Sequence, residues 1–237
     1  MNSKILIIIP VFNEEGNVKP LINRIFKYFK EKKSILFIDD NSKDKTKLEI
    51  KECQKKFKNI YLENRKSKLG IGSAHKFALR WAYKKKYKII VTMDCDGTHH
   101  PKYIDKMINV LVKKKCDIVS TNRFLNKNSL KGWSLWRRFL TRTRFILINK
   151  LFNMKYDSSG AYRCYNANNI KLEDLLKAKN NSYSFFWQST LILNKKYHIY
   201  EIPINLPARN QGSSKMKIKD IFSALYYVFL FRFKNFK

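Results

Sequence analysis

Two aspartates separated by one residue, Asp94 and Asp96, follow a short apolar run at residues 88–93. Two carboxylates this close repel one another unless a cation neutralises them. Hard oxygen ligands suit Mg²⁺ or Mn²⁺, which take further ligands from phosphates and water. The pattern predicts a divalent metal site at Asp94 and Asp96; the alternative is a polar turn that caps the helix starting near Pro101.

A second acidic turn, Asp39-Asp40-Asn41-Ser42, follows another apolar run. Carboxylates at such a strand end can accept hydrogen bonds from a ribose or a base edge. The alternative is ordinary turn chemistry, which Asp, Asn and Ser all favour. The glycine pair at Gly70 and Gly72 lacks the third glycine and the Gly-Lys-Ser/Thr ending of phosphate loops, so it predicts a tight entry into a helix.

A basic loop late in the chain runs from Arg209 to Lys215 around a glycine. An arginine and a lysine at this spacing can clamp a pyrophosphate and close over it. In so basic a chain, the alternative is a solvated loop.

Short apolar runs alternate with amphipathic segments through the first half of the chain, and this alternation positions the acidic turns. We predict strands at residues 5–9, 34–38, 60–62, 88–93 and 117–120, and helices at residues 18–30, 44–57, 71–83 and 101–114. Such alternation predicts an α/β fold with a doubly wound, mostly parallel sheet and helices on both faces. Ligands of such sheets bind beyond the carboxyl ends of the strands, where the acidic turns lie.

The second half mixes aromatic and basic residues. Residues 131–152, 184–195 and 218–233 have helical patterns, and residues 201–204 form a short strand. The longest apolar stretch, residues 221–231, is little more than half of the roughly 20 residues that a transmembrane helix needs. We therefore predict a catalytic domain at residues 1–216 and a C-terminal amphipathic basic-aromatic helix at residues 217–237, without a transmembrane segment.

The chain carries a formal net charge of +32, from 50 Lys and Arg against 18 Asp and Glu. A field this positive favours an anionic partner, although lysines spread over a solvated surface would give the same total. The four cysteines include no C-x-x-C pair, and the first residues lack a signal peptide, so a reducing cytosol is expected.

Taken together, these motifs resemble a known family. The segments Pro10-Val11-Phe12-Asn13-Glu14, Asp39-Asp40-Asn41-Ser42-Lys43-Asp44 and Asp94-Cys95-Asp96 resemble the family-2 glycosyltransferases of GT-A fold. Three further segments are similar to polyprenol-phosphate (dolichol-phosphate) mannosyl- and glucosyltransferases: Thr121-Asn122-Arg123-Phe124, residues 157–163, and the basic loop preceded by residues 201–204. The resemblance runs in order from about residue 5 to residue 216.

The resemblance implies roles for individual residues. It implies a base and ribose pocket lined by Pro10, Phe12, Glu14, Ile38 and Asp40, with Cys95 beside the nucleotide. It implies that Asp94 and Asp96 bind the metal that bridges the donor diphosphate, and that Arg123, Arg209 and Lys215 hold donor and acceptor phosphates. Asp96 and these three basic residues are the predicted catalytic group.

The chain departs from the family pattern at three positions. Thr98 stands where a glutamine usually follows the two aspartates, Phe12 replaces a tyrosine, and Gln188 replaces the glutamate of an F-x-x-E motif. A phosphate acceptor tolerates the loss of that carboxylate, because its second pKa of about 6 leaves it largely anionic at neutral pH. A hydroxyl acceptor would need a general base.

The expected activity is inverting transfer of a hexose, mannose or glucose, from GDP-mannose or UDP-glucose to a polyprenyl phosphate, with Mg²⁺ or Mn²⁺. The basic-aromatic helices are typical of peripheral attachment to an anionic membrane, here at the cytoplasmic face. Such residues also fit single-stranded nucleic acid, but without a nucleic-acid motif no nucleic-acid partner is expected. The alternatives are transfer to a glycan hydroxyl and a non-catalytic basic protein that binds membranes or nucleic acid.

Overall fold

The computed structural model describes residues 4–208, 226–228 and 230–232. The strands are β1 (Ile5–Val11), β2 (Lys33–Asp39), β3 (Ile60–Asn64), β4 (Ile89–Thr92), β5 (Ile118–Asn122), β6 (Arg163–Asn166) and β7 (Ile199–Pro203). The helices between them are α1 (Val18–Tyr28), α2 (Thr46–Lys56), α3 (Ile71–Lys84), α4 (Tyr103–Lys113), α5 (Leu135–Phe152), α6 (Leu172–Leu176) and α7 (Ser184–Leu193).

These strands form one sheet in the order β3-β2-β1-β4-β6-β5-β7. All neighbouring strands run parallel except β6, which lies antiparallel between β4 and β5. The predicted α/β class with a mostly parallel sheet is confirmed, but the sequence analysis did not predict β6 or the five-residue helix α6.

The centre of the sheet is buried on both faces. Ile5, Ile7 and Ile9 pack in a core with α1, α2 and α4. Leu6 and Ile8, which alternate with them, pack in a second core with α3. Burying one such side chain contributes about 1.5–3 kcal/mol, so five in succession anchor β1 and fix the position of the turn that follows it.

Helix α5 begins later than predicted. Gly132 has a φ of +84°, which is not helical, so the helix cannot start at residue 131 as predicted. Ser134 instead caps the start of α5, where its side chain accepts a hydrogen bond from the Arg137 backbone N–H at 3.3 Å. Trp133 is buried in the first core, whereas Leu135 and Trp136 on the first turn of α5 are 81% and 68% exposed.

Part of the C-terminal region packs against the domain. Residues 226–228 and 230–232 are helical, and the Phe231 ring lies 5.3 Å from the Trp187 ring. Tyr227 and Val228 join the same cluster as Ile148 of α5. The remainder of the predicted C-terminal helix and the basic loop at residues 209–215 lie outside the described residues. Among the helices that are described, none is long and apolar enough to cross a bilayer.

Candidate active site

The turns after β1 and β2 are tied together by reciprocal hydrogen bonds. The Asn13 backbone N–H donates to Ser42 Oγ at 2.9 Å, and the Lys43 N–H donates to Asn13 Oδ1 at 2.9 Å. The Glu14 N–H donates to Thr46 Oγ1 at 2.8 Å. The polar residues of both motifs therefore shape one continuous surface at the carboxyl ends of β1 and β2.

Asp40 is almost fully buried, and both of its carboxylate oxygens are engaged by the protein. They accept hydrogen bonds from the Arg65 guanidinium and from the backbone N–H groups of Leu69 (2.9 Å) and Gly70 (3.0 Å). Asp40 thus holds the segment between β3 and α3 against the end of β2.

That segment brings Lys68 over the face of Phe12, with Nζ 3.7 Å from the ring centroid. Phe12 and Pro10 are partly exposed at the end of β1. Ile38 differs, because its side chain is fully buried in the second core. Any contact between Ile38 and a nucleotide would be made by its backbone.

The glycine pair forms a helix entry, as predicted. Gly70 has a φ of +93°, and a Cβ there would collide with the carbonyl oxygen of Asn181. A Cβ at Gly72 would lie 2.6 Å from the Cβ of Phe185. Both glycines therefore allow α3 to pack closely against the segment leading into α7.

The two aspartates after β4 are fixed by their own loop. Asp96 is 5% exposed, and its Oδ1 accepts hydrogen bonds from the Thr98 N–H at 3.1 Å and from Thr98 Oγ1 at 2.6 Å. The Asp94 backbone N–H donates to His99 Nδ1 at 2.8 Å. His99 Nδ1 also lies 3.7 Å from Asp94 Oδ2. Because Nδ1 accepts the hydrogen bond from the backbone, it carries no proton to donate to the carboxylate, so this contact is not a hydrogen bond.

Thr98, which stands where the family pattern has a glutamine, therefore uses its hydroxyl to position Asp96. Among the described residues, no group of three or more His, Cys, Asp and Glu side chains is arranged to bind a metal. Within that part of the chain, the candidate metal site consists of the carboxylates of Asp94 and Asp96.

Cys95 is buried between these aspartates. Burial raises the pKa of its thiol well above the usual value, and the charges of Glu14 and Asp96 raise it further, so the thiol is neutral. A cavity of about 110 Å³ lies beside it, between α1 and the Asp96 loop. Its lining residues are Gly16, Asn17, Pro20, Leu21, Arg24, Cys95, Asp96 and Gly97. Ligand pockets usually measure about 300–1,000 Å³, so this cavity alone is smaller than a typical ligand site.

Arg123, directly after β5, forms a buried ion pair with Asp157. Asp157 Oδ2 accepts from Arg123 Nε at 2.6 Å and from its backbone N–H at 3.1 Å, while Oδ1 accepts from Nη2 at 3.1 Å. Ser159 Oγ accepts from Arg123 Nη2 at 3.0 Å and from Nη2 of Arg144 on α5, also at 3.0 Å. Two guanidinium groups therefore meet at one hydroxyl.

Glu201 of β7 lies beneath this ion pair. Its carboxylate accepts hydrogen bonds from the Asp157 backbone N–H and the Asn122 side chain, each at 2.7 Å. Burial raises the pKa of Glu201 to about 7, although these hydrogen bonds oppose the change. Burial and the neighbouring Arg123 lower the pKa of Arg144 to about 10.

Strand β6 brings the Asp94–Asp96 loop and the Arg123 cluster to the same sheet edge. Because β6 is antiparallel, it starts where β4 and β5 end, with Arg163 opposite Thr92 and Ser120. The backbone carbonyl of Tyr162, the residue before β6, accepts a hydrogen bond from the Thr121 N–H at 3.2 Å. The Tyr162 hydroxyl donates to the His100 carbonyl at 3.1 Å. Tyr162 therefore connects the two halves of the candidate site.

Gln188 lies one residue before Ser189, which accepts a hydrogen bond from Arg163 Nη1 at 2.7 Å at the start of β6. Gln188 is fully buried in α7, and its Oε1 accepts a hydrogen bond from the Asn180 N–H at 3.0 Å. Arg209 and Lys215 lie outside the described residues. The sequence analysis missed Arg144, Glu201 and Lys68 as individual site residues, since nothing in the local sequence separates them from the other charged residues of this chain.

Comparisons with known proteins identify the family of this chain. A family model described as Glycosyl transferase family 2 matches residues 6–175. Polyprenol monophosphomannose synthase of Mycolicibacterium smegmatis is 27% identical over 94% of this chain and 84% of its own length. Undecaprenyl-phosphate mannosyltransferase of Micrococcus luteus is 25% identical over 90% of this chain and 87% of its own length.

A solved structure supports the fold. Glucosyl-3-phosphoglycerate synthase from Mycobacterium tuberculosis, in complex with Mn²⁺, UDP-glucose and phosphoglyceric acid, superposes with a TM-score of 0.67 at 14% identity. The match covers 97% of this chain and 79% of that chain. The expected GT-A fold and family are thus confirmed, and the chain belongs to glycosyl transferase family 2 and is a glycosyltransferase.

Proposed function

We propose that this enzyme transfers a hexose, mannose or glucose, from a nucleotide-diphosphate sugar to a polyprenyl phosphate with inversion at the anomeric carbon. The observation that carries the proposal is the placement of the Asp94–Asp96 loop and the Arg123 cluster at one sheet edge, joined through Tyr162. The acidic Asp94–Asp96 loop suits the metal that accompanies a donor diphosphate, and the basic Arg123 cluster suits an acceptor phosphate.

Asp94 and Asp96 fit Mg²⁺ or Mn²⁺. Both offer hard carboxylate oxygens, and the hydrogen bonds from Thr98 fix the orientation of Asp96 before any ligand binds. A cation with few protein ligands takes the rest from the donor phosphates and water, which agrees with a two-carboxylate site. When bound, the cation would stabilise the charge that develops on the leaving nucleoside diphosphate.

The donor's base and ribose would lie at the ends of β1 and β2. The partly exposed ring of Phe12 offers a stacking face, and Pro10 and Glu14 flank it. Asp40 would act by holding Lys68 and its segment in place, since its carboxylate is already engaged. GDP-mannose and UDP-glucose are the donors that we propose to test first.

The acceptor phosphate would bind near Arg123, with Arg209 and Lys215 contributing from the basic loop. A phosphomonoester is already largely anionic at neutral pH, so its oxygen can attack the anomeric carbon without losing a proton to the protein. The enzyme then supplies position and positive charge instead of a general base. Gln188 fits this division, because a neutral side-chain amide cannot act as a general base.

Helix α5 offers a surface for the membrane that would carry such an acceptor. Large apolar side chains on α5 that are at least 40% exposed are Leu135, Trp136, Phe139, Leu140, Ile146, Leu147 and Leu151. The neighbouring Arg137 and Arg142 are exposed as well. Apolar and aromatic side chains beside arginines favour insertion into the interface of an anionic bilayer, so we propose peripheral attachment at the cytoplasmic face.

A donor-binding screen tests the first half of this proposal. Titration calorimetry with GDP-mannose, UDP-glucose and their diphosphates should show binding that requires Mg²⁺ or Mn²⁺. Asp96→Ala should weaken that binding at least about tenfold, whereas Glu31→Ala, which removes an exposed carboxylate beyond α1, should leave it unchanged. Binding that is indifferent to metal, or no binding of any nucleotide sugar, would refute the proposed catalytic role.

A further inference from the structure

The side of α5 that faces the domain carries Arg144 into the Arg123 cluster. Arg144 and Arg123 each donate from Nη2 to the same Ser159 Oγ at 3.0 Å, so their guanidinium groups lie side by side. Within the described part of the chain, the hydroxyl of Ser159 is the hydrogen-bond acceptor found for Arg144. Ser159 and Arg144 are half-buried, so the cluster lies between the core and the surface.

The positive charge of this cluster exceeds its negative charge. Among the described residues, Asp157 is the carboxylate ion-paired within this cluster. Its partner is Arg123, and the nitrogens of Arg123 and the Ser159 hydroxyl already occupy its oxygens. Glu201 is close, but it bonds to Asn122 and the Asp157 backbone, and burial keeps it partly protonated near neutral pH. Two guanidinium groups thus share one full negative charge, and an added anion would balance the second.

The surroundings of Arg144 indicate what kind of anion this is. On a helix, residues three, four and seven positions away lie along the same side. For Arg144 these positions include Thr141 and Ile148, which are buried against the domain. They also include Leu140, Leu147 and Leu151, which are 47%, 49% and 40% exposed. Exposed leucines therefore border the side of α5 that carries Arg144, which suits a ligand with an anionic head and a long apolar tail.

We propose that Arg144, together with Arg123 and Ser159, binds the phosphate of a prenyl monophosphate, whose chain follows the leucines of α5. Planar guanidinium groups match the oxygens of a phosphomonoester and each can donate two hydrogen bonds to it. This inference rests on the proposed function and names the residue that makes the acceptor site select a lipid phosphate over a hydroxyl. Arg144 would act as a binding and positioning residue.

The test is calorimetric titration with geranyl phosphate, a short and soluble prenyl monophosphate, in the absence of donor. The wild-type enzyme should bind it, Arg144→Met should weaken binding at least about tenfold, and Arg144→Lys should fall between them. Arg80→Met removes an exposed arginine from α3 and should change the affinity less than twofold. An Arg144→Met affinity within twofold of wild type, or an equal loss in Arg80→Met, would overturn the inference.

Two further ligands identify the source of the phosphate. Inorganic phosphate should bind more weakly than geranyl phosphate, because it lacks the tail, and geraniol should not bind measurably, because it lacks the charge. Equal affinity for inorganic and geranyl phosphate would overturn the lipid assignment. Arg144→Met should unfold at no lower temperature than the wild type, since it removes a cation without a full counter-charge, so lost binding is not explained by misfolding.

Steady-state kinetics separates this inference from the proposed function. If wild-type enzyme transfers sugar to polyprenyl phosphate and Arg144→Met keeps its acceptor KM within twofold, the inference fails and the function stands. If wild-type enzyme transfers no sugar, the proposed function fails, while the geranyl phosphate titration still decides whether Arg144 binds a phosphate. A raised acceptor KM with an unchanged donor KM supports both.

Discussion

The ion pair between Asp157 and Arg123 gives a stability prediction that can be worked from the structure. Asp157 is 3% exposed and Arg123 8% exposed, and they share three hydrogen bonds. Removing one partner of a buried ion pair typically costs about 3–5 kcal/mol, because the other charge stays buried without compensation. In Asp157→Asn the uncompensated guanidinium would also face Arg144. We therefore expect a loss near 3–5 kcal/mol, a large part of the roughly 5–15 kcal/mol that stabilises a typical domain.

Urea denaturation at pH 7, followed by circular dichroism, measures this loss. The double variant Asp157→Asn/Arg123→Met should be more stable than the sum of the two single changes predicts, because it removes both charges together. Glu52→Gln breaks the exposed pair between Glu52 and Lys19 and should not move the midpoint measurably. A loss below about 1 kcal/mol in Asp157→Asn, or strict additivity in the double variant, would refute our description of this cluster.

Three other predictions follow from buried or exposed groups. Gln188→Glu should give no gain in turnover, since an anionic phosphate acceptor needs no general base, and a large gain in the transfer assay would mean that a general base was missing. The raised pKa of Glu201 makes its contribution to the free energy of unfolding complete below about pH 4.5. That contribution is lost as the pH rises through about 7, a decline of up to roughly 3 kcal/mol. Urea titrations from pH 5 to 8 should show this decline in wild type but not in Glu201→Gln, and parallel stability curves would contradict it. Trp136→Ser/Phe139→Ser should reduce co-sedimentation with anionic liposomes while leaving binding of a soluble donor intact, and unchanged sedimentation would exclude this face of α5 from membrane attachment.

The parallel part of the fold was predictable because its signals are local. A run such as residues 5–9 is apolar on both faces, which is typical of a central parallel strand, and the acidic turns mark where β2 and β4 end. The prediction that ligands bind at this sheet edge came from the strand topology. The structure places Glu14 near Cys95 of the Asp94–Asp96 loop at the same edge.

Strand β6 was not predictable in the same way. It has four residues, Arg163–Asn166, with a charged residue at one end and an amide at the other, so it lacks an apolar run. Its position is set by pairing with β4 and β5, which are distant in sequence. Without β6, the sequence analysis had no means to place Asp157 and Ser159 beside Arg123.

Individual side chains in the site were the hardest to assign. Asp40 and Ile38 fit the family pattern, yet Asp40 is engaged by Arg65 and the Ile38 side chain lies in the core. Arg144 is one of several arginines on α5, and only packing distinguishes it from its exposed neighbours. Such assignments depend on which way a side chain faces after the helix has docked, which spacing on the helix does not determine.

The most direct test of the central claim is transfer of labelled hexose from GDP-mannose or UDP-glucose to lipid. Purified enzyme should form a lipid-extractable product with polyprenyl phosphate in the presence of Mg²⁺ or Mn²⁺. That product should disappear with chelator and in Asp96→Ala, and polyprenol or a glycan hydroxyl should not replace the phosphate acceptor. Efficient transfer to a hydroxyl acceptor, or undiminished transfer by Asp96→Ala, would contradict the account.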